Sequence, residues 1–339
     1  MSFQEKSKPK TRFVPQSVRL MDQVKEVLRY HHYASRTEES YIHWILAFIR
    51  FHNKQHPKTL GKNHIEAFLS HMAVNKNYAA STQNLALNAI VFLYKQVLGL
   101  PMADDLVAIR SKKVVRLPVV LSQDEVILIL GNMKGVYQLL GQLMYGGGLR
   151  VMEVLRIRVQ DIDFANGYLL IRHGKGGKDR TTLLAPTIVP VLLAHLDQTR
   201  KQFDEDRLND VPGVFLPNAL ARKYPNAALT WGWQYVFPSK SLSKDPRSGI
   251  IRRHHLNETG IQKAIRSAKL RANIIKRVTS HTFRHSFATH LLESGTNIRV
   301  VQKLLGHSDV KTTEIYTHVL QRNLDKVVSP LEKLGDITK

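Results

Sequence analysis

Six side chains in this sequence, Arg150, Lys175, His281, Arg284, His307 and Tyr316, are of the types that can hold, attack and release a phosphate. Arg150 follows the run Gly146-Gly147-Gly148, and Lys175 sits within Gly174-Lys175-Gly176-Gly177-Lys178. His281 and Arg284 stand three apart, His307 follows Leu304-Leu305-Gly306, and Tyr316 comes nine positions after His307. Guanidinium groups offer planar, paired N–H donors to the non-bridging oxygens of a phosphodiester, a geometry that an ammonium cannot copy. Imidazoles can add hydrogen bonds to the same oxygens or help to move a proton. A phenol can attack phosphorus, but with an ordinary pKa of about 10 it needs neighbouring cations and a base. No cluster of carboxylates accompanies these groups, so the joint pattern points to phosphoryl transfer with no metal and no cofactor. The spacing of His281 and His285 would suit zinc, yet the metalloprotease motif requires a glutamate where Thr282 stands.

Such groups need a scaffold, and the apolar periodicity predicts one that is mainly α-helical with a small antiparallel β-sheet. Phe283, Phe287, Ala288, Leu291 and Leu292 fit one helical face, so His281 and Arg284 can project together from the helix start. A helix from Asn297 should end at Gly306 and leave His307 just past its C-terminus. Residues 161–164 and 168–172 flank Asn166-Gly167, a strong hairpin signal, and the turn carrying Lys175 leads to a third strand at 181–184. Beyond residue 188 the pattern is helical again, apart from a loop-rich section at about 211–255. Upstream, four short helices are expected between Ser17 and Leu100, the second capped by Thr37 and burying Tyr41, Trp44, Phe48 and Phe51. Ser122-Gln123-Asp124-Glu125 forms a capping box after Pro118 and marks a new start. The expected organisation is therefore a flexible basic leader at 1–16, a helical domain at 17–105, a basic linker at 106–118 and a mixed α/β domain at 119–339.

The 339 residues are two domains' worth of chain, and 43% apolar content excludes wholesale disorder. The absence of cysteine excludes a disulfide framework, thiolate metal sites and a cysteine nucleophile, and fits a reducing cytoplasm. The polar, basic start does not read as a secretory signal, and no apolar run is long enough to span a membrane. Fifty Lys and Arg against 27 Asp and Glu leave a formal charge of +23, which calls for a polyanionic partner. The excess is shared: residues 1–110 carry 15 basic and 8 acidic side chains, and the remainder 35 and 19. Two basic halves suit a clamp around duplex DNA, although composition alone fits an architectural or ribosomal protein equally well.

GLR at 148–150, GKGGK at 174–178, HTFRHSFATH at 281–290 and LLGHSDVKTTEIYTH at 304–318 resemble, in order and spacing, the signature boxes of the tyrosine recombinases, the phage-integrase family. The resemblance covers the chain from Ser17 onward. It implies a two-domain DNA clamp, with a helical N-terminal core-binding domain and a C-terminal catalytic domain whose catalytic set is Arg150, Lys175, His281, Arg284, His307 and Tyr316. In such an enzyme Tyr316 would attack the strand and Lys175 would protonate the departing 5′ oxygen. A 3′-phosphotyrosyl link would result, reversed later by a partner strand's 5′-hydroxyl. Glu153 stands where an acidic residue is usual and would steady Arg150. The family implication for the tail after Tyr316, with Val319, Leu320, Leu324, Val327 and Val328 in helical spacing, is docking on a neighbouring subunit in a homo-tetramer on two DNA sites.

Lys175 and His281 are 106 positions apart, more than compact members need. The extra block, at about 211–258, resembles the insertion of integron integrases, which recombine a folded single-stranded cassette site, known by its bulged-out bases, with a duplex attachment site. Its Trp233, Pro246, Arg252, Arg253, His254 and His255 are the types that stack on unpaired bases and grip phosphates. The plainer reading makes Trp231 and Trp233 a local core and the histidines a solvated turn. Other readings of the whole chain are an Xer-type or phage-type recombinase on duplex sites, an enzyme like the type IB topoisomerases, and a non-enzymatic basic DNA-binding protein. The expected location is the bacterial cytoplasm, on the nucleoid.

Overall fold

A computed structural model describes residues 13–100, 117–172, 179–246 and 248–317. Most of the expected basic leader, Lys175, most of the expected linker and most of the C-terminal tail lie outside the described residues. The chain divides into two compact units, Met1–Arg116 and Leu117–Lys339.

The first unit is helical: α1 (Leu20–Tyr30), α2 (Ser35–Phe51), α3 (Lys62–Ser70) and α4 (Ala80–Phe92). Val24, Val27 and Leu28 of α1 meet Trp44, Ile45 and Phe48 of α2 and Leu87 and Ile90 of α4 in one fully apolar cluster. The expected aromatic stripe fades at its end, because Phe51 is 37% exposed. Thr37 is not the cap of α2: the helix starts two residues earlier behind Ala34, whose carbonyl accepts the Thr37 N–H at 2.9 Å.

The second unit opens with α5 (Gln123–Gly131), α6 (Gly135–Gly146) and α7 (Val151–Leu155). Ser122 and Glu125 form the reciprocal capping box that the sequence predicts, at 2.8 and 3.2 Å. Strands β1 (Ile162–Asp163), β2 (Tyr168–Ile171) and β3 (Arg180–Leu183) pair antiparallel in sequence order, with Gly167 turning the first hairpin. The chain continues through α8 (Val189–Leu208), α9 (Asn218–Lys223), β4 (Pro238–Lys244), β5 (Ile251–His255), α10 (Glu258–Arg271), α11 (Ser280–Glu293), α12 (Ile298–Leu305) and α13 (Lys311–Glu314). Its core gathers Leu140 and Met144 of α6, Val154 of α7, Leu169 of β2, Ile261 and Ile265 of α10 and Phe283 of α11.

The section expected to be loop-rich holds instead a second antiparallel sheet, in which Pro238 faces His255 and Lys244 faces Ile251 across an irregular register. Its first strand, PSKSLSK, exposes five of seven residues and has no apolar alternation. Backbone pairing holds it, so the pattern of apolar side chains could not announce it.

Candidate active site

Arg150 occupies the cap position of α7, in extended backbone, and its own N–H donates to Glu153 Oε2 at 2.8 Å. Its guanidinium Nη1 reaches the other oxygen, Oε1, at 2.7 Å. The same carboxylate accepts two bonds from Arg180 on β3, at 3.0 and 2.8 Å, and lies 3.6 Å from Nη1 of Arg284. Three guanidiniums thus share one nearly buried counterion. Burial pushes the Glu153 carboxyl up, but hydrogen bonds and charge from Arg180, the Arg150 N–H and the Arg284 charge outweigh it and hold it at about 2.

Arg284, 3% exposed, is anchored by donating Nη1 to Gly148 O at 2.6 Å and Nη2 to Leu305 O at 2.5 Å. Burial and the charges of Arg150 and Arg180, opposed by Glu153, lower its pKa to about 9, which leaves it charged at neutral pH. The Gly148 anchor point needs glycine: φ is +61°, and a Cβ would stand 2.4 Å from the Phe287 ring. Gly148→Ala is expected to cost about 1–3 kcal/mol of stability. The displaced carbonyl would also cease to hold Arg284; thermal melts of wild type and variant check the loss of stability.

Gly306, at φ +64°, ends α12 as expected and passes so close to Arg180 that a Cβ would meet its Cδ at 2.6 Å. His307 follows, with Nε2 at 3.2 Å from Arg284 Nη2 and Nδ1 at 2.9 Å from Thr313 Oγ1. A guanidinium only donates, so Nε2 accepts, and in the neutral ring Nδ1 carries the proton toward Thr313. His281 opens onto solvent at the rim. Desolvation of its inner side, with the charges of Arg284 and Arg150, holds its pKa below the usual histidine value.

Tyr316 is 1% exposed, its ring packed among Phe287, Leu292, Val301 and Leu305. Its hydroxyl lies 2.7 Å from Nδ1 of His285. Burial raises the phenol pKa, while the charges of Arg284 and Arg150 pull it back, so the hydroxyl lies within electrostatic reach of both guanidiniums. The structure therefore brings together Arg150, His281, Arg284, His307 and Tyr316. Two members of the cluster were not anticipated. From the sequence His285 reads only as a metal partner for His281, whose ring is 6.4 Å away, and Arg180 carries no motif at all. Among the described residues no group of three or more His, Asp or Glu side chains could hold a metal ion.

The residues singled out in the 211–258 block separate. Trp233 and His254 line a cavity of about 420 Å³ together with Arg150, Arg172 and Tyr235. Arg158 braces its wall, donating to Trp233 O and Phe215 O at 2.8 Å each and stacking 3.6 Å from the Tyr235 ring centre. Arg172 lies 5.8 Å from the Trp233 ring centre and pairs with Asp161 at 2.5 Å. Trp231 packs instead against Phe203 and the main core, as the plainer reading had it. Arg253 does not offer a free cation: it is bound to both carboxylate oxygens of Asp206, at 2.7 and 2.5 Å, and to the carbonyls of Ser239 and Lys240. His255 is 9% exposed with Nδ1 2.7 Å from Leu256 O, and burial leads the effects that lower its pKa to about 4. Arg252 is half-buried, and Pro246 stands exposed in the β4–β5 turn, outside the cavity lining.

A family model described as the phage integrase family matches residues 119–323, and one described as the phage integrase N-terminal SAM-like domain matches residues 20–104. An integrase/recombinase of Escherichia coli is 48% identical over 324 residues, which are 95% of this chain and 96% of that protein. Tyrosine recombinase XerA of Pyrococcus furiosus is 31% identical over 266 residues, 77% of this chain and 78% of the relative. The fold is similar to the crystal structure of the XerH site-specific recombinase bound to difH substrate in a pre-cleavage complex. That match has a TM-score of 0.60 at 19% identity and covers 91% of this chain and 84% of the other. Among the described residues no helix is long and apolar enough to cross a membrane.

Proposed function

Because the chain belongs to the phage integrase family and is a tyrosine site-specific recombinase, we propose that Tyr316 is its nucleophile and that Arg150, His281, Arg284 and His307 bind the scissile phosphate of DNA. The observation that carries this reading is the Tyr316 hydroxyl at 2.7 Å from Nδ1 of His285, the residue next to Arg284, which in turn shares the Glu153 carboxylate with Arg150. In-line attack by the phenol oxygen builds charge on the non-bridging oxygens of the phosphodiester, and fixed guanidinium and imidazole donors stabilise that charge before any reorganisation. Arg284 gives N–H groups to two carbonyls and to His307 Nε2, and a guanidinium carries five, so donors remain for the phosphate. Lys175 is assigned the proton for the leaving 5′ oxygen. One ester replaces another, so the step is reversible by a second strand's 5′-hydroxyl.

A duplex nicked so that the 5′ fragment diffuses away tests the assignment. The enzyme should be caught as a denaturant-stable covalent adduct on a cognate site. Binding without adduct on every attachment site tried would make the chain a DNA-binding module.

The finer reading is an integron integrase, acting as a tetramer on a folded single-stranded cassette site and a duplex integration site. What supports it is the aromatic and cationic cavity of about 420 Å³ beside Arg150, with Trp233, His254 and Arg172 on its wall. Base-on-aromatic stacking contributes about 1–3 kcal/mol per base. Trp233→Ala combined with His254→Ala is accordingly expected to lower recombination of a folded cassette site about tenfold or more and to leave cleavage of a duplex site within about twofold. Equal losses on both substrates would mean that these side chains only support the protein. Activity confined to duplex sites would favour an Xer-type enzyme.

A further inference from the structure

We propose that His285 is the general base that takes the Tyr316 proton during strand cleavage and returns it during rejoining. The inference rests on the assignment of Tyr316 as the nucleophile and deepens it. Its basis is geometric: Nδ1 of His285 lies 2.7 Å from the phenol oxygen, and the two ring centres are 5.6 Å apart. The other candidate bases are placed differently. Nε2 of His307 faces Arg284 and its Nδ1 faces Thr313, while His281 opens onto solvent at the rim.

The titratable and charged groups facing His285 are His281 and Arg284 of its own helix and Tyr316 from the segment after α13. On α6, Tyr145 is directed elsewhere, to His290 at 2.9 Å. Burial, then His281 and Arg284, lower the His285 pKa to about 4, so the ring is neutral at physiological pH and Nδ1 is free to accept the O–H. Complete transfer in the free protein would be strongly uphill from a phenol whose pKa is itself raised. Burial is the largest cause of that lowering, and a bound phosphodiester acts on the remainder, because its negative charge opposes the Arg284 charge and shifts the balance toward the imidazolium. Proton transfer then accompanies bond formation: the Tyr316 O–P bond forms, the P–O5′ bond breaks, the phenol proton moves to His285 Nδ1, and the 5′ oxygen takes its proton from the separate acid, Lys175. In rejoining, the protonated imidazole gives the proton back to the departing phenol oxygen. Tyr316 needs a partner of this kind because it is buried away from water.

The test is single-turnover adduct formation on a nicked duplex between pH 6 and pH 9.5, with wild type, His285→Ala, His285→Asn and Tyr316→Phe. His285→Asn keeps a hydrogen-bonding group near Nδ1 without basicity and serves where the alanine variant folds poorly; gel-shift binding and thermal melts accompany each variant. At neutral pH both His285 variants should lose about 10²–10⁴-fold in rate. Their deficit should shrink as pH rises, since the ionised fraction of the phenol then grows without a protein base. A deficit that is constant over the whole range, an unchanged rate, or a faster rate would each overturn the proposal. No adduct with wild type, or one that survives Tyr316→Phe, would instead strike the assignment of the nucleophile.

Discussion

Replacing Tyr316 by phenylalanine is expected to abolish the covalent adduct while leaving DNA binding within about twofold. The ring's packing against Phe287, Val301 and Leu305 survives the change, because only the hydroxyl is removed. Loss of its hydrogen bond leaves His285 Nδ1 unpartnered at that point, at a cost of about 1–3 kcal/mol. The variant should therefore fold and bind, with a modestly lower melting temperature. Covalent catalysis offers no partial substitute for a missing nucleophile, so adduct formation should fall by ~10⁴-fold or below detection. Denaturing gels of a nicked substrate read the adduct, and gel shifts read the binding. A persistent adduct of normal yield would place the nucleophile elsewhere in the chain.

The second large effect is expected at Glu153. Glu153→Gln leaves Arg150, Arg180 and Arg284 packed together without their shared carboxylate, and turns an amide N–H₂ toward guanidiniums that can only donate. Removing one partner of a buried charge cluster typically costs about 3–5 kcal/mol. Cleavage should fall by ~10²-fold as well, because Arg150 loses the clamp that fixes its plane. Acid makes the same change reversibly. The folded protein holds Glu153 at about 2 against an ordinary 4.5, so the charged form is favoured by folding. Its contribution, roughly 3 kcal/mol, is complete above the ordinary value and fades as pH falls from there toward 2. Urea denaturation of wild type and variant at pH 6 and again near pH 3 should show the stability gap narrowing in acid. A gap of constant size would mean that the carboxylate's charge is not what binds the arginines.

These two expectations differ in where they could first be seen. Tyr316, Arg150, His281, Arg284 and His307 were legible because their motifs are local: a glycine run, a helix start, a helix end and a short helical stretch each place one or two of them. Arg180 was not legible. It meets Glu153 only because β3 pairs with β2 in a given register, and the partners are 27 positions apart. His285 was visible but misdirected. Its spacing from His281 suggests a shared ligand, whereas the segment after α13 brings Tyr316 to it from 31 positions away.

The same division runs through the 211–258 block. Its side-chain types suggested stacking and phosphate gripping, yet Arg253 spends its guanidinium on Asp206, 47 positions upstream, and Trp231 joins the core. Trp233 and His254 reach one cavity only through the Arg158 brace and the β4–β5 pairing.

By itself the order of residues determined the helical character, the first hairpin, the turn at Gly306 and the chemical inventory of phosphate-handling groups. Those features follow from contacts within a few positions, where backbone geometry leaves little choice. Tertiary structure alone decided which guanidiniums share Glu153, which imidazole meets the phenol and which cations of the 211–258 block stay available. Such outcomes depend on long-range packing, where a single shift of register would hand each charged group a different partner.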